Sequence, residues 1–182
     1  MKKKTILKAE DISHKVNEIA LKIVAKNPSM KELAIVGIRT CGAFLAVRIK
    51  EAINNLHILP PPVGILDITM YRDDWTRIGP TPVVGKTYLP FSIDGKTIIL
   101  VDDVLFTGRT VRAAMDALMD YGRPNKIELA VLVDRGSQYR ELPISANYIG
   151  GVWITSVDES INVYLKERGY DDHVEIEEKK VI

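Results

Sequence analysis

Apolar positions along this chain recur with a period that switches between helical and extended. Ile12, Val16, Ile19, Ala20, Ile23 and Val24 fall on one helical face, and Asn27-Pro28 closes the run. Leu33 to Ile38 is a compact apolar strand, followed by Arg39-Thr40-Cys41-Gly42 and a helix expected to about Asn55. Val63 to Tyr71 reads as a strand, Arg72 to Lys86 turns polar and rich in Gly and Pro, and Tyr88 to Ile93 reads as a strand closed by Asp94-Gly95. Thr97 to Val101 is a buried strand that ends at Asp102-Asp103. Val111, Ala114, Met115, Leu118 and Tyr121 then return to helical spacing until Gly122 and Pro124. Ile127 to Val133, Ala146 to Ile149 and the alternating Ile161, Val163 and Leu165 supply further extended segments. Strands that alternate with helices predict an α/β fold, with ligands bound at the carboxyl edge of the sheet.

Composition narrows the class. At 182 residues the chain has the length of one domain, read as 1–182 without a boundary. Hydrophobic residues make up 46% and charged residues 27%, and the net charge is +1, so no dedicated nucleic-acid binder is indicated. The single cysteine, Cys41, excludes an intramolecular disulfide and suits a reducing cytoplasm. Met1-Lys2-Lys3-Lys4 resembles the start of a signal peptide, but Lys8, Glu10 and Asp11 interrupt any apolar core. No run approaches membrane-spanning length, so no membrane partner is expected.

The candidate chemistry sits where the period changes, in Asp102-Asp103-Val104-Leu105-Phe106-Thr107-Gly108-Arg109-Thr110. A loop that opens a helix gathers backbone N–H groups at the positive end of the dipole, which suits a phosphate. Thr107 and Thr110 add hydroxyl donors, and Gly108 permits close approach of the backbone. Carboxylates repel phosphate but accept strong bonds from vicinal hydroxyls, so the whole segment fits a ribose 5-phosphate. The plain alternative is an N-capping carboxylate beside an ordinary βα loop. Arg39-Thr40-Cys41-Gly42 is a second strand–loop–helix unit; from the loop alone, a diphosphate cradle and a simple turn are equally matched. The segment 72–87 reads either as a mobile flap that brings in Arg72 or Arg77, or as a solvated hairpin tip. Gly79 to Thr87 imitates a nucleotide-binding P-loop but has the wrong glycine spacing, and Pro90 sits where a helix should follow. Asp171, Asp172, His173 and Glu175 read as a solvated acidic terminus in preference to a metal cluster, and no zinc-ligand spacing occurs. Asp102 as a phosphoryl acceptor is disfavoured, because adjacent strand residues send their side chains apart.

Val101 to Thr110 resembles the phosphoribosyl-diphosphate (PRPP) motif of type I phosphoribosyltransferases. Asp67-Ile68-Thr69-Met70-Tyr71-Arg72-Asp73-Asp74, Gly122-Arg123-Pro124, Val133-Asp134-Arg135-Gly136 and Arg140-Glu141-Leu142-Pro143-Ile144 narrow the likeness to the PyrR family, pyrimidine-operon attenuators that are also uracil phosphoribosyltransferases. The resemblance runs from about Ile6 to Ile154. It implies a central, mainly parallel twisted sheet flanked by helices, with a β flap and a small hood over 135–160. It implies transfer of phosphoribose from PRPP to uracil, giving UMP and diphosphate, with Mg2+ carried by PRPP. Asp102 and Asp103 would hold the sugar hydroxyls, Arg39 and Arg72 or Arg77 would offset the diphosphate, and residues 104–110 would bind the phosphate. Thr40, Cys41 and Gly42 would cradle the diphosphate, while Arg135, Tyr148 and Ile149 would line the base pocket. The family also implies a homo-oligomer, dimer or higher, and UMP-sensitive binding of the pyrimidine operon mRNA leader. This chain departs from the family at Cys41, which replaces an Arg in the family's Gly-Ile-Lys-Thr-Arg-Gly loop. It departs again at Asn17, Glu18, Leu21 and Ser137-Gln138-Tyr139, so RNA affinity is expected to be weak or retuned. His14, Lys15, Lys22, Lys26 and Arg123 remain as RNA-contact candidates. The alternative reading is a nucleotide-sensing, RNA-binding regulator with little or no catalysis.

Overall fold

A computed structural model describes residues 3–73 and 85–178. Two sheets organise the chain. Strands β1 (Lys3–Lys8), β2 (Leu33–Ile38), β3 (Val63–Leu66), β4 (Thr97–Leu105), β5 (Lys126–Asp134), β6 (Tyr148–Val152), β7 (Glu159–Tyr164) and β8 (His173–Glu178) are joined by helices α1 (Ala9–Lys26), α2 (Cys41–Asn55) and α3 (Arg109–Met119). The main sheet is five-stranded and parallel, in the order β3-β2-β4-β5-β6, so the most apolar strands, β2 and β4, lie inside it. The second sheet is antiparallel, in the order β1-β8-β7.

Each face of the main sheet is covered. Ile12, Val16, Ile19 and Ile23 of α1 and Leu45, Ile49 and Ile53 of α2 pack on one face, together with Val163 and Val174 of the second sheet. Val111, Ala114 and Leu118 of α3 cover the other face against Ile98, Leu100 and Val131. Such doubly covered strands are continuous apolar runs, which is why β2 is buried throughout its length.

Several boundaries differ from the sequence reading. The segment Tyr88–Ile93 is not a strand. Tyr88 makes a single antiparallel bridge to Ile65, Pro90 has no N–H to extend a ladder, and Leu89, Phe91 and Ile93 instead pack on the α3 face. The strand expected over Val63–Tyr71 ends at Leu66, because the Asp67 carboxylate accepts the amides of Thr69 (2.9 Å) and Gly85 (2.9 Å) and turns the chain. Strand β4 continues through the acidic pair to Leu105, since β5 keeps pairing with it. Asp172, His173 and Glu175 do not form a solvated tail. They belong to β8 and its approach, where Asp172 and Glu167 grip Arg48 of α2.

Candidate functional site

Parallel strands deliver the ends of β2, β3, β4, β5 and β6 to one edge, and the chemistry-bearing residues collect there. Gly37 and Gly42 let α2 approach that edge: a Cβ on Gly42 would lie 2.3 Å from the Val101 carbonyl oxygen, and one on Gly37 would lie 2.4 Å from the Ala43 Cα. The loop Arg39-Thr40-Cys41-Gly42, with a cis Arg39–Thr40 peptide, is therefore pressed beside the acidic end of β4. Arg39 donates from a guanidinium nitrogen to the Lys86 carbonyl (3.1 Å) and lies 3.7 Å from the Asp67 carboxylate.

The acidic pair is electrostatically tight. Asp102 accepts the Asp103 amide at 2.9 Å, and Asp103 accepts the Val104 amide at 2.9 Å. Each carboxylate thus turns onto the backbone amide that follows it. Burial, and then the neighbouring Asp103 charge, push the Asp102 carboxyl well above its ordinary range, while Arg72 pulls the other way. Cys41 is buried, and burial followed by the Asp103 charge raises its thiol to about 11. Its Sγ lies 3.7 Å from the Val163 carbonyl oxygen and 3.8 Å from an Arg168 guanidinium nitrogen, so the thiol turns toward the second sheet. A neutral, buried thiol is a poor nucleophile.

The loop between β4 and α3 turns on a glycine. Gly108 stands at φ 93°, a conformation that favours glycine, and immediately precedes α3. Its carbonyl accepts the Arg112 amide, and the Thr107 carbonyl accepts the Glu141 amide at 3.0 Å. A cleft of about 160 Å³ is lined by Arg72, Asp73, Thr107, Arg109 and Thr110. Arg109 does not fill it as a lone cation: its guanidinium bridges Asp73 and Glu141, each at 2.5 Å. Residues 74–84, including Arg77 and most of the expected flap, lie outside the described residues.

Of the three expected pocket residues, Arg135 stands at the carboxyl edge just after β5, while Tyr148 and Ile149 stand at the start of β6, toward the other edge. Arg135 is 3% exposed and donates to Thr155 Oγ1 and to the carbonyls of Ser156 and Glu159, with its guanidinium 3.7 Å from the centre of the Phe106 ring. Its Nε and Nη2 are committed to these bonds and one of its faces to the Phe106 ring; burial lowers its pKa. Tyr148 opens β6 at the far end of the sheet, where its hydroxyl bonds Glu128 and accepts from Asn27 (3.1 Å). Ile149 sits three residues before the end of β6, and its carbonyl accepts Lys22 Nζ at 3.3 Å. The residues that stand at the correct end of β6 are Val152 and Ile154, apolar side chains 56% and 75% exposed. Asp67 and Asp73 were also missed as organising groups; each lies in the quoted Asp67–Asp74 run, but only folding shows what it holds.

The RNA-contact candidates on α1 are largely committed. His14 and Lys15 face Glu18 at 3.4 and 3.0 Å, Lys22 is bound to Ile149, and Lys26 lies 2.9 Å from Glu128. Arg123 sits in the turn after α3, its amide bonded to Asp94.

Comparison with known proteins agrees with this arrangement. The family model for the phosphoribosyl transferase domain matches residues 2–162. A bifunctional protein PyrR from Roseiflexus sp. is 52% identical over 167 residues, 92% of this chain and 90% of that one. One from Thermus aquaticus is 49% identical over 178 residues, 98% and 97% of the two chains. Among solved structures, a hypoxanthine phosphoribosyltransferase from Staphylococcus aureus superposes with a TM-score of 0.65 at 22% identity, covering 86% of this chain and 80% of the other. That likeness carries the fold, a type I phosphoribosyltransferase sheet with its flanking helices. With nearly full-length relatives at about half identity and a sheet edge that brings acidic pair and phosphate loop together, the chain belongs to the PyrR family of phosphoribosyltransferases.

Proposed function

We propose that this edge transfers the phosphoribosyl group of PRPP to N1 of uracil, releasing diphosphate and forming UMP. The observation that carries the reading is the meeting of Asp102 and Asp103 with the Thr107–Thr110 loop at one end of β4. In this reading the α3 N-terminus and the two Thr hydroxyls hold the 5-phosphate, while the carboxylates accept the sugar hydroxyls. As the C1–diphosphate bond breaks, positive charge grows on the ribose ring. Carboxylates fixed beside the ring stabilise that charge more in the transition state than in the ground state. Arg39 and Arg72 offset charge on the departing diphosphate. Val152 and Ile154 offer the uracil an apolar wall, the role first assigned to Tyr148 and Ile149.

The donor set suits Mg2+ carried by PRPP: Asp102 and Asp103 would hold the sugar hydroxyls, leaving the diphosphate oxygens and water to complete the ion's shell. When bound there, Mg2+ neutralises diphosphate charge. No described helix is long and apolar enough to cross a membrane; a cytoplasmic, homo-oligomeric enzyme of dimer size or larger is part of the same reading.

The relatives' name, bifunctional, favours a second activity, which the family resemblance identifies as UMP-dependent binding of the pyrimidine operon mRNA leader. Here we assign it a subordinate place, because the α1 cations are engaged by Glu18, Glu128 and Ile149. The deciding experiment is UMP formation from PRPP, Mg2+ and uracil, with hypoxanthine and orotate as parallel controls. Turnover on uracil alone supports the enzyme. Binding of PRPP or UMP without turnover on any base would replace it with a sensor.

A further inference from the structure

The diphosphate loop lacks a cation of its own after Arg39. Its next two side chains are a hydroxyl and a thiol, Thr40 and Cys41, where the family pattern places an Arg at the second. A guanidinium nevertheless reaches the Cys41 thiol, supplied from a remote part of the chain. Arg168 lies at the end of the short turn Lys166–Arg168 that links β7 to β8, and one of its terminal nitrogens is 3.8 Å from Cys41 Sγ. Cys41 is the first residue of α2, so Arg168 borders the helix N-terminus.

The placement is built and not incidental. Arg48, seven residues after Cys41 and therefore on the same face of α2, reaches the two acids that flank Arg168 in sequence. It donates to both oxygens of Glu167 (2.8 and 2.7 Å) and to both oxygens of Asp172 (2.6 and 2.9 Å). Asp172 in turn accepts the Lys166 amide at 2.7 Å, and Gly169 takes the left-handed conformation, φ 82°, that lets the turn reverse. Two bidentate pairs thus fasten the turn to α2. Arg168 itself has no carboxylate within ion-pair distance among the described residues; its other contact is the Tyr170 ring, 5.9 Å away. A guanidinium held in place, exposed, and left without a counter-ion is arranged for an anion that arrives from solvent.

We infer that Arg168 binds the diphosphate of PRPP, standing in for the cation that the loop lacks at Cys41, and that Arg48 is the residue that positions it. This inference rests on the phosphoribosyltransferase reading above. It predicts discrimination between ligands: PRPP and diphosphate carry the group that Arg168 meets, whereas UMP does not. In the full-length protein, Arg168→Gln is expected to raise the KM for PRPP and the inhibition constant of diphosphate about tenfold, the cost of one charged contact. The dissociation constant of UMP, measured by calorimetry, should remain within about twofold of its original value. Arg168→Lys should retain part of the affinity. Adding Cys41→Arg to Arg168→Gln, in a protein whose melting curve shows it folded, should restore it. Unchanged PRPP and diphosphate constants, or a parallel loss of UMP binding, would overturn the inference. Failure of the underlying reading looks different: the unaltered protein would then form no UMP, whereas calorimetry with PRPP and diphosphate would still report on Arg168.

Discussion

At the scale of single residues, the acidic pair combines two opposed demands. Asp102 is buried beside a second carboxylate, an arrangement that disfavours its ionised form in the folded protein. A carboxyl raised in the folded state lowers stability as pH rises through its ordinary range, because the unfolded chain releases that proton more readily. Asp102→Asn should therefore raise Tm at pH 7 and flatten the dependence of Tm on pH, while turnover falls. An unchanged or lower Tm at neutral pH would show that the pair is not a source of stored repulsion. Asp103→Asn separates function from folding more sharply. It keeps the shape and the bond to the Val104 amide while removing the charge that, in the proposed reaction, faces the developing sugar cation, so kcat should drop about 100-fold or more. Near-normal UMP formation by a folded Asp103→Asn protein would remove the pair from the mechanism.

At the scale of elements, Arg135 behaves as a rivet between β5 and the chain that leads from β6 to β7. Its guanidinium satisfies Thr155 Oγ1, two carbonyls and one face of Phe106, all close to the end of β4. Arg135→Ala would strand those carbonyls and is expected to cost about 3 kcal/mol in urea denaturation. Arg135→Lys should recover little, since an ammonium cannot reproduce the planar fork. A loss below about 1 kcal/mol for the Ala variant, the scale of a surface substitution, would contradict the assignment. This residue also marks where sequence reading ends. The unit β4–loop–α3 was legible because its chemistry and its change of period are contiguous, and β2, α1, α2 and β5 declared themselves by unbroken apolar patterns. The side chain of Arg135 was not, because its direction depends on segments 20 residues away. Strands β1 and β8 were hidden for a related reason: Lys3, Glu175 and Glu177 look like solvated charge until cross-strand ion pairs join them. Tyr148 was misread by register, since β6 begins far from the edge at which it ends.

At the scale of the whole molecule, the two ends of the parallel sheet divide the labour. The carboxyl end carries closely spaced acids and phosphate-seeking loops, a costly arrangement of charge, and the amino end carries a compact ionic knot. There Glu128, 1% exposed at the start of β5, meets Lys126 at 2.5 Å, Lys26 of α1 at 2.9 Å and the hydroxyl of Tyr148 in β6. Burial alone would raise the Glu128 carboxyl, but Lys126, Tyr148 and Lys26 outweigh it and hold the group down to about 2, against an ordinary value of 4.5. A carboxyl depressed in the folded state contributes stability that is complete above its unfolded value and vanishes as pH falls through the folded one. The knot should therefore add up to about 3 kcal/mol above pH 4.5 and lose it progressively toward pH 2. Glu128→Gln removes the titrating charge but keeps the volume, so its urea stability should fall below that of the unaltered protein at pH 7, with the gap narrowing below pH 4.5 and closing near pH 2. Because the knot joins α1, β5 and β6 at the edge remote from Asp103, UMP formation at pH 7 should persist in this variant under conditions where it remains folded. Parallel stability curves for the two proteins from pH 7 to pH 2 would show that Glu128 carries none of the linkage.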